Sequence, residues 1–210
     1  MRKHLLFFLT LMLGPSAASG QLLSIGALGG VALTDQTSVQ PNESKRYLVG
    51  LSVEFALPAN FAVEADAIYQ RLGVSNFFPA SIPASVGTSQ SLSFDLRQRG
   101  NAWEFPLLGK YYFRPRGAAW RPFVGTGFAF RTVGTHFTGS EVTIDSTGAT
   151  HIFSLNNNTR SLNAGATVAA GVRIHAGPLA VLPQFRYTYW GGMDNLTRHS
   201  EAAFLVGLTF

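Results

Sequence analysis

Apolar and polar side chains alternate with a period of two over most of the chain after residue 20. Residues 46–57 show the pattern clearly: one face carries Tyr47, Val49, Leu51, Val53, Phe55 and Leu57, and the other carries Leu48, Gly50, Ser52, Glu54 and Ala56. A period of two indicates a β-strand, because successive side chains point to opposite faces. Eight runs are each long enough for a transmembrane strand of about 9–11 residues; they are residues 22–33, 46–57, 61–72, 100–114, 120–133, 161–175, 178–190 and 200–210.

The links between these runs alternate in length. Three links are short, with the sequences PAN (58–60), PRGAA (115–119) and AG (176–177). The other four are long and comprise residues 34–45, 73–99, 134–160 and 191–199. Short turns at one end and long loops at the other are typical of a transmembrane barrel, in which the turns are periplasmic and the loops extracellular. A water-soluble up-and-down barrel has no physical reason to segregate its loops in this way.

Alternation alone does not say which face lies inside, and a lipocalin-like barrel would turn its apolar face inward around a ligand. Charged residues make up only 13% of the chain, against about 25% in soluble domains. The polar face is rich in Gly and Ala, which suits the narrow lumen of an eight-stranded barrel. Aromatic residues lie near both ends of the apolar face, as at two lipid–water interfaces: Phe55, Phe61, Phe113, Trp120 and Phe210 near the short turns, and Tyr47, Tyr69, Trp103, Phe130, Tyr187 and Tyr189 near the long loops. The sequence therefore predicts an all-β fold, an eight-stranded antiparallel up-and-down transmembrane β-barrel with short periplasmic turns and long extracellular loops.

The first 20 residues have the features of a cleaved secretory signal peptide. Arg2 and Lys3 precede an apolar stretch at 5–13, and Ala18 and Gly20 place small residues at the cleavage positions. A membrane anchor is the alternative, but the apolar stretch is far shorter than the roughly 20 residues of a spanning helix. We therefore predict a signal peptide at 1–20 and a barrel domain at 21–210.

Four stretches carry a resemblance to a known family: WEFPLLGKYYF (103–113), RPFVGTGFAFR (121–131), LPQFRYTYWG (182–191) and the final FLVGLTF (204–210). With them, the chain resembles the small eight-stranded outer-membrane β-barrels of the OmpA/OmpX type over essentially all of residues 21–210. The resemblance implies residence in the bacterial outer membrane and insertion by the barrel-assembly machinery. It also implies that this machinery reads the last strand, whose outward residues here are Phe204, Val206, Leu208 and Phe210. It does not imply one activity, since related barrels anchor, adhere, conduct weakly or, in a few cases, act as enzymes.

Charges of both signs collect on the predicted inner face: Glu54, Glu64, Asp66, Glu104 and Glu201, and Lys110, Arg121, Arg131, Arg173 and Arg186. Unpaired charges in a narrow lumen carry a large desolvation cost, so we expect them to pair. Either the pairs form a plug that holds the barrel's shape, or they form a gate for a small pore. We expect Glu64 and Asp66 to pair with basic residues on adjacent strands. Prolines at 106, 122 and 183 lie inside strands, and a bulge at any of them would invert the faces beyond it.

Catalytic and metal sites find little support in the sequence. His199, Ser200 and Glu201 are consecutive, but neighbouring strand residues diverge, whereas a nucleophile and its base must converge. The His-x-Ser spacing of barrel lipid A deacylases does not occur, and the histidines lack the spacing of metal ligands. There is no cysteine, which excludes disulfides and thiolate chemistry. We expect no catalytic residues, no metal and no cofactor.

The long loops are where a binding specificity is expected. Phe77, Phe78 and Ile82 in the 73–99 loop either pack over the barrel mouth or form a surface for a partner. The 134–160 loop is a second possible surface for a partner. Arg97 and Arg99 are suited to binding lipopolysaccharide phosphates. The net charge of +5 falls to +3 without Arg2 and Lys3, which is too weak to argue for nucleic acid. We expect a structural or surface-interaction role such as adhesion or anchoring. The alternatives are a narrow passive channel and, third, a lipid-modifying enzyme.

Overall fold

The computed structural model describes residues 22–34, 43–82, 90–144, 150–191 and 198–210. Side chains are described in these ranges except at 75–82, 90–96, 141–144, 150, 151, 153 and 155. The predicted signal peptide at 1–20 lies outside them. No helix in the described ranges is long and apolar enough to cross a membrane.

Eight antiparallel strands form one closed sheet. They are β1 (Leu23–Ala32), β2 (Tyr47–Ala56), β3 (Phe61–Ile82), β4 (Gln90–Tyr112), β5 (Trp120–Ile144), β6 (Thr150–Ala176), β7 (Leu179–Trp190) and β8 (Ser200–Thr209). Each strand pairs with its neighbours in sequence, and β1 also pairs with β8, so that Ala27 lies opposite Leu208. Closure pairs the edge strands, which is required where no water can satisfy the backbone. The predicted up-and-down barrel of eight strands is confirmed.

The three short links are tight turns at one end of the barrel. In the turn between β2 and β3, Ala59 and Asn60 both have a positive φ, of 56° and 65°. Leu57 N donates to Phe61 O across this turn at 2.8 Å. Gly177, with φ 65°, occupies the turn between β6 and β7, where a glycine adopts the left-handed conformation without steric cost.

At the opposite end, two predicted loops are instead mostly β-hairpin, and the predicted loop bounds 73–99 and 134–160 are wrong. β3 continues to Ile82 and β4 begins at Gln90, while β5 continues to Ile144 and β6 begins at Thr150. Beyond the lipid both faces of a hairpin meet water, so the alternation that marks a strand lapses. Antiparallel pairing still satisfies the backbone there, and Thr-rich segments such as 132–138 favour extended structure.

The two faces of the barrel are distributed as the alternation predicts. Large apolar side chains cover the outer face, where Leu162 is 75% exposed and Phe128 is 68% exposed. Charged side chains lie inside, where Lys110 and Glu64 are buried at 0% and 1%. An outer surface this apolar would be unfavourable in water, whereas it matches a lipid bilayer.

Candidate functional site

The ten charged residues predicted to face the lumen all lie on the inner face, with exposed fractions of 0–8%: Glu54, Glu64, Asp66, Glu104, Lys110, Arg121, Arg131, Arg173, Arg186 and Glu201. Strand pairing keeps one register on both sides of Pro106, Pro122 and Pro183. The three prolines therefore do not invert the faces, and the predicted lumen set is correct in orientation.

Near the short turns, Arg173 of β6 reaches across the lumen to Glu54 of β2. Its Nη1 lies 2.7 Å from Glu54 Oε1. Its Nη2 donates to Ser24 Oγ at 2.8 Å and to Thr209 Oγ1 at 3.2 Å, which ties the pair to the seam between β1 and β8. The hydroxyl of Tyr112 donates to Glu54 Oε2 at 2.7 Å. Glu54 is thus held by β4 and β6 at once.

Further ion pairs extend this arrangement along the lumen. Lys110 lies 3.3 Å from Glu54 Oε2 and also pairs with Glu64. Arg186 Nη2 lies 3.3 Å from Glu64 Oε1 and 2.7 Å from Asp66 Oδ2. Three carboxylates and three cations therefore form one continuous network, which we call the lower network: Glu54, Glu64, Asp66, Lys110, Arg173 and Arg186.

Two of these contacts cross the full width of the barrel. β2 and β6, like β3 and β7, are four strands apart in the ring of eight and so lie on opposite walls. Arg173 spans the first pair and Arg186 spans the second. The sequence predicts that Glu64 and Asp66 pair with basic residues on adjacent strands. This is correct for Glu64, which pairs with Lys110 of β4, but wrong for Asp66, whose partner is Arg186 on β7. An eight-stranded lumen is narrow enough for an arginine to reach the opposite wall.

A second, smaller cluster lies nearer the long hairpins. Arg131 Nη1 lies 3.3 Å from Glu201 Oε2 and 3.8 Å from Glu104 Oε1. Its guanidinium also lies over the ring of Trp190, 4.2 Å from the centroid, and this indole is fully buried. Both carboxylates therefore lie near the same guanidinium, and we call this group the upper cluster.

Arg121 is the exception to the expected pairing. It is buried, but it has no carboxylate partner among the described residues. Its Nε donates to Arg114 O at 3.1 Å, and its guanidinium lies over the Tyr112 ring at 4.0 Å. A backbone carbonyl and an aromatic face therefore stabilise this cation near the periplasmic rim.

The lumen also contains large apolar and aromatic side chains, and alternation already places some of them, such as Leu48, on the inner face. Leu28, Leu48, Ile68 and Leu205 form an apolar cluster on one side of it, and Leu108, Tyr112 and Phe123 contribute to another. Parity alone would have placed Tyr112 beside Lys110 and Trp190 beside Thr188. Tyr112 and Trp190 were missed only because the inner face was assumed to be polar.

The outward residues of the last strand have the predicted orientation. Phe204, Leu208 and Phe210 are exposed and Val206 is half-buried, all on the lipid-facing side. Phe210 N also donates to Ile25 O at 3.1 Å, so the last residue belongs to the seam with β1. Recognition of this strand during assembly stays a prediction.

The predicted loop contacts lie on strands. Phe77, Phe78 and Ile82 lie in β3, and their side chains are outside the described set. Arg97 and Arg99 lie on the outer face of β4, where Arg97 Nη2 is 3.6 Å from Glu43 Oε1. Arg99 borders an outward-facing polar pocket.

Residues considered for chemistry have ordinary structural contacts. His199 Nδ1 lies 3.2 Å from Trp190 O and its ring stacks on Tyr189. His136 Nδ1 lies 2.5 Å from Asn158 Oδ1. Within the described ranges, no three His, Asp or Glu side chains are grouped as metal ligands would be.

Comparison with known proteins identifies the family and agrees with the barrel fold. The model of a family described as outer membrane protein beta-barrel domain matches residues 16–197. A major outer membrane protein of Thermus thermophilus is 9% identical, with 90% of this chain and 98% of that chain covered and a TM-score of 0.50. The N-terminal barrel of Pseudomonas aeruginosa OprF is 16% identical over 91% and 100% of the two chains, with a TM-score of 0.46. The attachment invasion locus protein Ail of Yersinia pestis, in complex with the heparin analogue sucrose octasulfate, is 10% identical over 89% and 94%, also with a TM-score of 0.46. No curated protein sequence matches the chain.

Proposed function

Because the chain belongs to the outer membrane protein beta-barrel domain family, we propose that it is a bacterial outer-membrane barrel with a closed lumen and a structural or surface-interaction role. The observation that carries the closed lumen is the pair of cross-lumen contacts, Arg173 with Glu54 and Arg186 with Asp66. Both join opposite walls, and all four residues are at most 8% exposed. An ion passing through the barrel would have to break these pairs in a medium of low dielectric constant, where charge interactions are strong.

Planar-bilayer recording tests this proposal. We expect no large, steady conductance from the unmodified protein. We expect Arg186→Ala to admit current, because the truncation opens the midline and leaves Glu64 and Asp66 with one cation fewer. Arg116→Ala serves as the matched control, since Arg116 is an exposed turn residue whose Nη2 bonds only to Leu57 O among the described contacts. A large, steady open current from the unmodified protein would refute the closed lumen.

A narrow passive channel is the second candidate, and unpaired polar atoms in the lumen favour it. Among the described residues, both amide atoms of Gln184, Gln70 Oε1 and Asp66 Oδ1 are buried without a hydrogen-bond partner. Buried polar groups are normally hydrogen-bonded, so these atoms are suited to binding water inside the barrel. A small, steady, reproducible conductance from the unmodified protein, lost when Gln184 is replaced by Leu, would favour this candidate.

The surface role is supported by the two long hairpins, β3–β4 and β5–β6, which extend well beyond the outer aromatic belt. We propose that they present a contact surface for an external partner and that the barrel serves as their anchor. Replacing residues 75–96 and 138–156 each by a short glycine-containing turn is expected to abolish adhesion to host or matrix proteins while leaving the heat-dependent gel shift of the folded barrel. Adhesion that survives the shortening of both hairpins would contradict the surface role, and only the anchoring role would then remain.

We propose no enzymatic activity for the barrel. The contacts of His136 and His199 with Asn158 and the Trp190 carbonyl support this, because neither imidazole is hydrogen-bonded to a described serine. Mass spectra of lipid A from cells with and without the protein are expected to be identical. A deacylated lipid A species that depends on the protein would overturn the proposal.

A further inference from the structure

An apolar groove of about 440 Å³ lies on the lipid-facing surface of β2, β3 and β4. It is lined by the outward side chains of Val49, Leu51, Ala67, Tyr69 and Trp103 and by Gly50, which has no side chain. Tyr69 and Trp103 pack together, with ring centroids 5.2 Å apart. Small residues flanked by large ones thus leave a channel on an otherwise continuous apolar surface, just inside the outer aromatic belt.

A polar pocket of about 360 Å³ lies next to the groove, on the side of the long hairpins. Arg71, Arg99, Asn101 and His136 border it, and Gly134 leaves its centre open, because a Cβ there would meet no atom within 4 Å. Arg71 and Arg99 are exposed on the outer face, and neither has a carboxylate partner among the described side chains. The neighbouring Arg97, by contrast, pairs with Glu43. Two cations are therefore available to an anion at this level of the membrane.

The groove and the pocket form one continuous surface. The hydroxyl of Tyr69, which lines the groove, donates to Oδ1 of Asn101, which lines the pocket, at 2.8 Å. Arg71 lies two residues beyond Tyr69 on the same face of β3, a rise of about 7 Å along the strand. That step takes the surface from the hydrocarbon, past the aromatic belt, to the level of lipid headgroups.

We propose that this surface, which we call the rim site, binds a phosphorylated lipid of the outer leaflet. One acyl chain lies in the groove over Ala67, and a headgroup phosphate contacts Arg71 and Arg99. Guanidinium groups bind phosphate through paired, charge-assisted hydrogen bonds, which sets this site apart from ordinary annular contacts. The inference rests on the proposed outer-membrane placement but is independent of whether the lumen is closed.

Native mass spectrometry of the full barrel in non-ionic detergent tests the rim site, with diphosphoryl lipid A as the probe and dephosphorylated lipid A as its control. Three variants are compared with the unmodified protein: Arg71→Gln with Arg99→Gln, Ala67→Phe, and Arg116→Gln at the opposite end of the barrel. All four positions face outward or lie in a turn, and the heat-dependent gel shift verifies that each variant folds. Inorganic phosphate is added in a competition arm.

We expect the double arginine variant to bind diphosphoryl lipid A at least about tenfold more weakly, since each charged hydrogen bond lost is worth about a factor of ten or more. Ala67→Phe should weaken binding of both lipids, and Arg116→Gln should change neither. Affinity of the double variant within twofold of the unmodified protein would overturn the rim site. Loss on arginine replacement with no effect of Ala67→Phe, or full displacement by inorganic phosphate, would show a simple anion site and also overturn the lipid proposal. Bilayer conductance of the unmodified protein, which tests the closed lumen, is unaffected by any of these outcomes.

Discussion

Replacing Glu54 by Gln removes one charge from the centre of the lower network while keeping the shape of the side chain. Glu54 accepts contacts from Arg173 at 2.7 Å, from Tyr112 at 2.7 Å and from Lys110 at 3.3 Å. The amide oxygen of Gln can still accept the Tyr112 hydroxyl. Both cations lose a carboxylate, however, and Arg173 then keeps only hydroxyl partners among its described contacts.

The expected cost follows from burial. Lys110 is fully buried and Arg173 is 8% exposed, so neither can recover its hydration without opening the barrel. Removing one partner of a buried ion pair costs roughly 3–5 kcal/mol in the free energy of unfolding. Lys110 retains Glu64, which places the expected loss near the lower limit, at about 3 kcal/mol.

Glu43→Gln is the matched control, because it makes the same chemical change in an exposed pair. Glu43 and Arg97 lie 3.6 Å apart, with side chains 38% and 50% exposed. Such a pair is worth about 0–1 kcal/mol. The same substitution is therefore expected to cost at least about 2 kcal/mol more at position 54 than at position 43.

Urea unfolding of the barrel in lipid vesicles, followed by tryptophan fluorescence, measures both variants. With a slope on the order of 2 kcal/mol per molar urea, Glu54→Gln should lower the midpoint by about 1.5 M. Adding Arg173→Met to Glu54→Gln should recover part of the loss, since it removes the uncompensated cation. Equal midpoints for the two single variants would show that the cross-lumen pair contributes nothing to stability, and would refute the cost expected from its burial.

Three further outcomes are expected. Gly30→Ala should lower the yield of folded barrel and cost on the order of 1–3 kcal/mol, because its Cβ would overlap Phe204 O and Leu205 at the β1–β8 seam. In the control Gly29→Ala, the added Cβ meets open space, and the variant should fold normally. Equal gel-shift yields for the two variants would count against this expectation. In single-tryptophan variants, brominated lipid should quench Trp103 and Trp120, which are 44% and 50% exposed, but not the fully buried Trp190, and a quenched Trp190 would contradict its place in the lumen. Phe210→Ala should reduce insertion in cells while detergent refolding of the purified chain stays nearly unchanged; an equal effect on both would mean that Phe210 acts in stability and not in recognition by the assembly machinery.

Much of this fold can be predicted from alternation alone, because a strand that divides lipid from a packed lumen imposes a period of two on every side chain. The eight strands, the inner position of residues such as Glu54 and Arg186, and the outer position of Phe204 all follow from parity. The prediction remains valid across Pro106, Pro122 and Pro183, where pairing continues in one register. It fails where one face of the strand no longer meets lipid and the other no longer meets the lumen, as in β3 beyond Leu72. A hairpin in water needs no apolar face.

Parity says which face a residue occupies but not which residue it meets across the barrel. The sequence by itself therefore determined a balanced set of inward charges, while the tertiary structure decided that Asp66 pairs with Arg186 on the opposite wall and that Arg121 pairs with no described carboxylate. Barrel closure is the physical reason: it brings β3 within reach of β7 although 120 residues separate the paired charges. The rim site was also decided by the tertiary structure, but by strand register and not by closure: the pairing of β3 with β4 sets Tyr69 opposite Trp103 and Arg71 opposite Asn101.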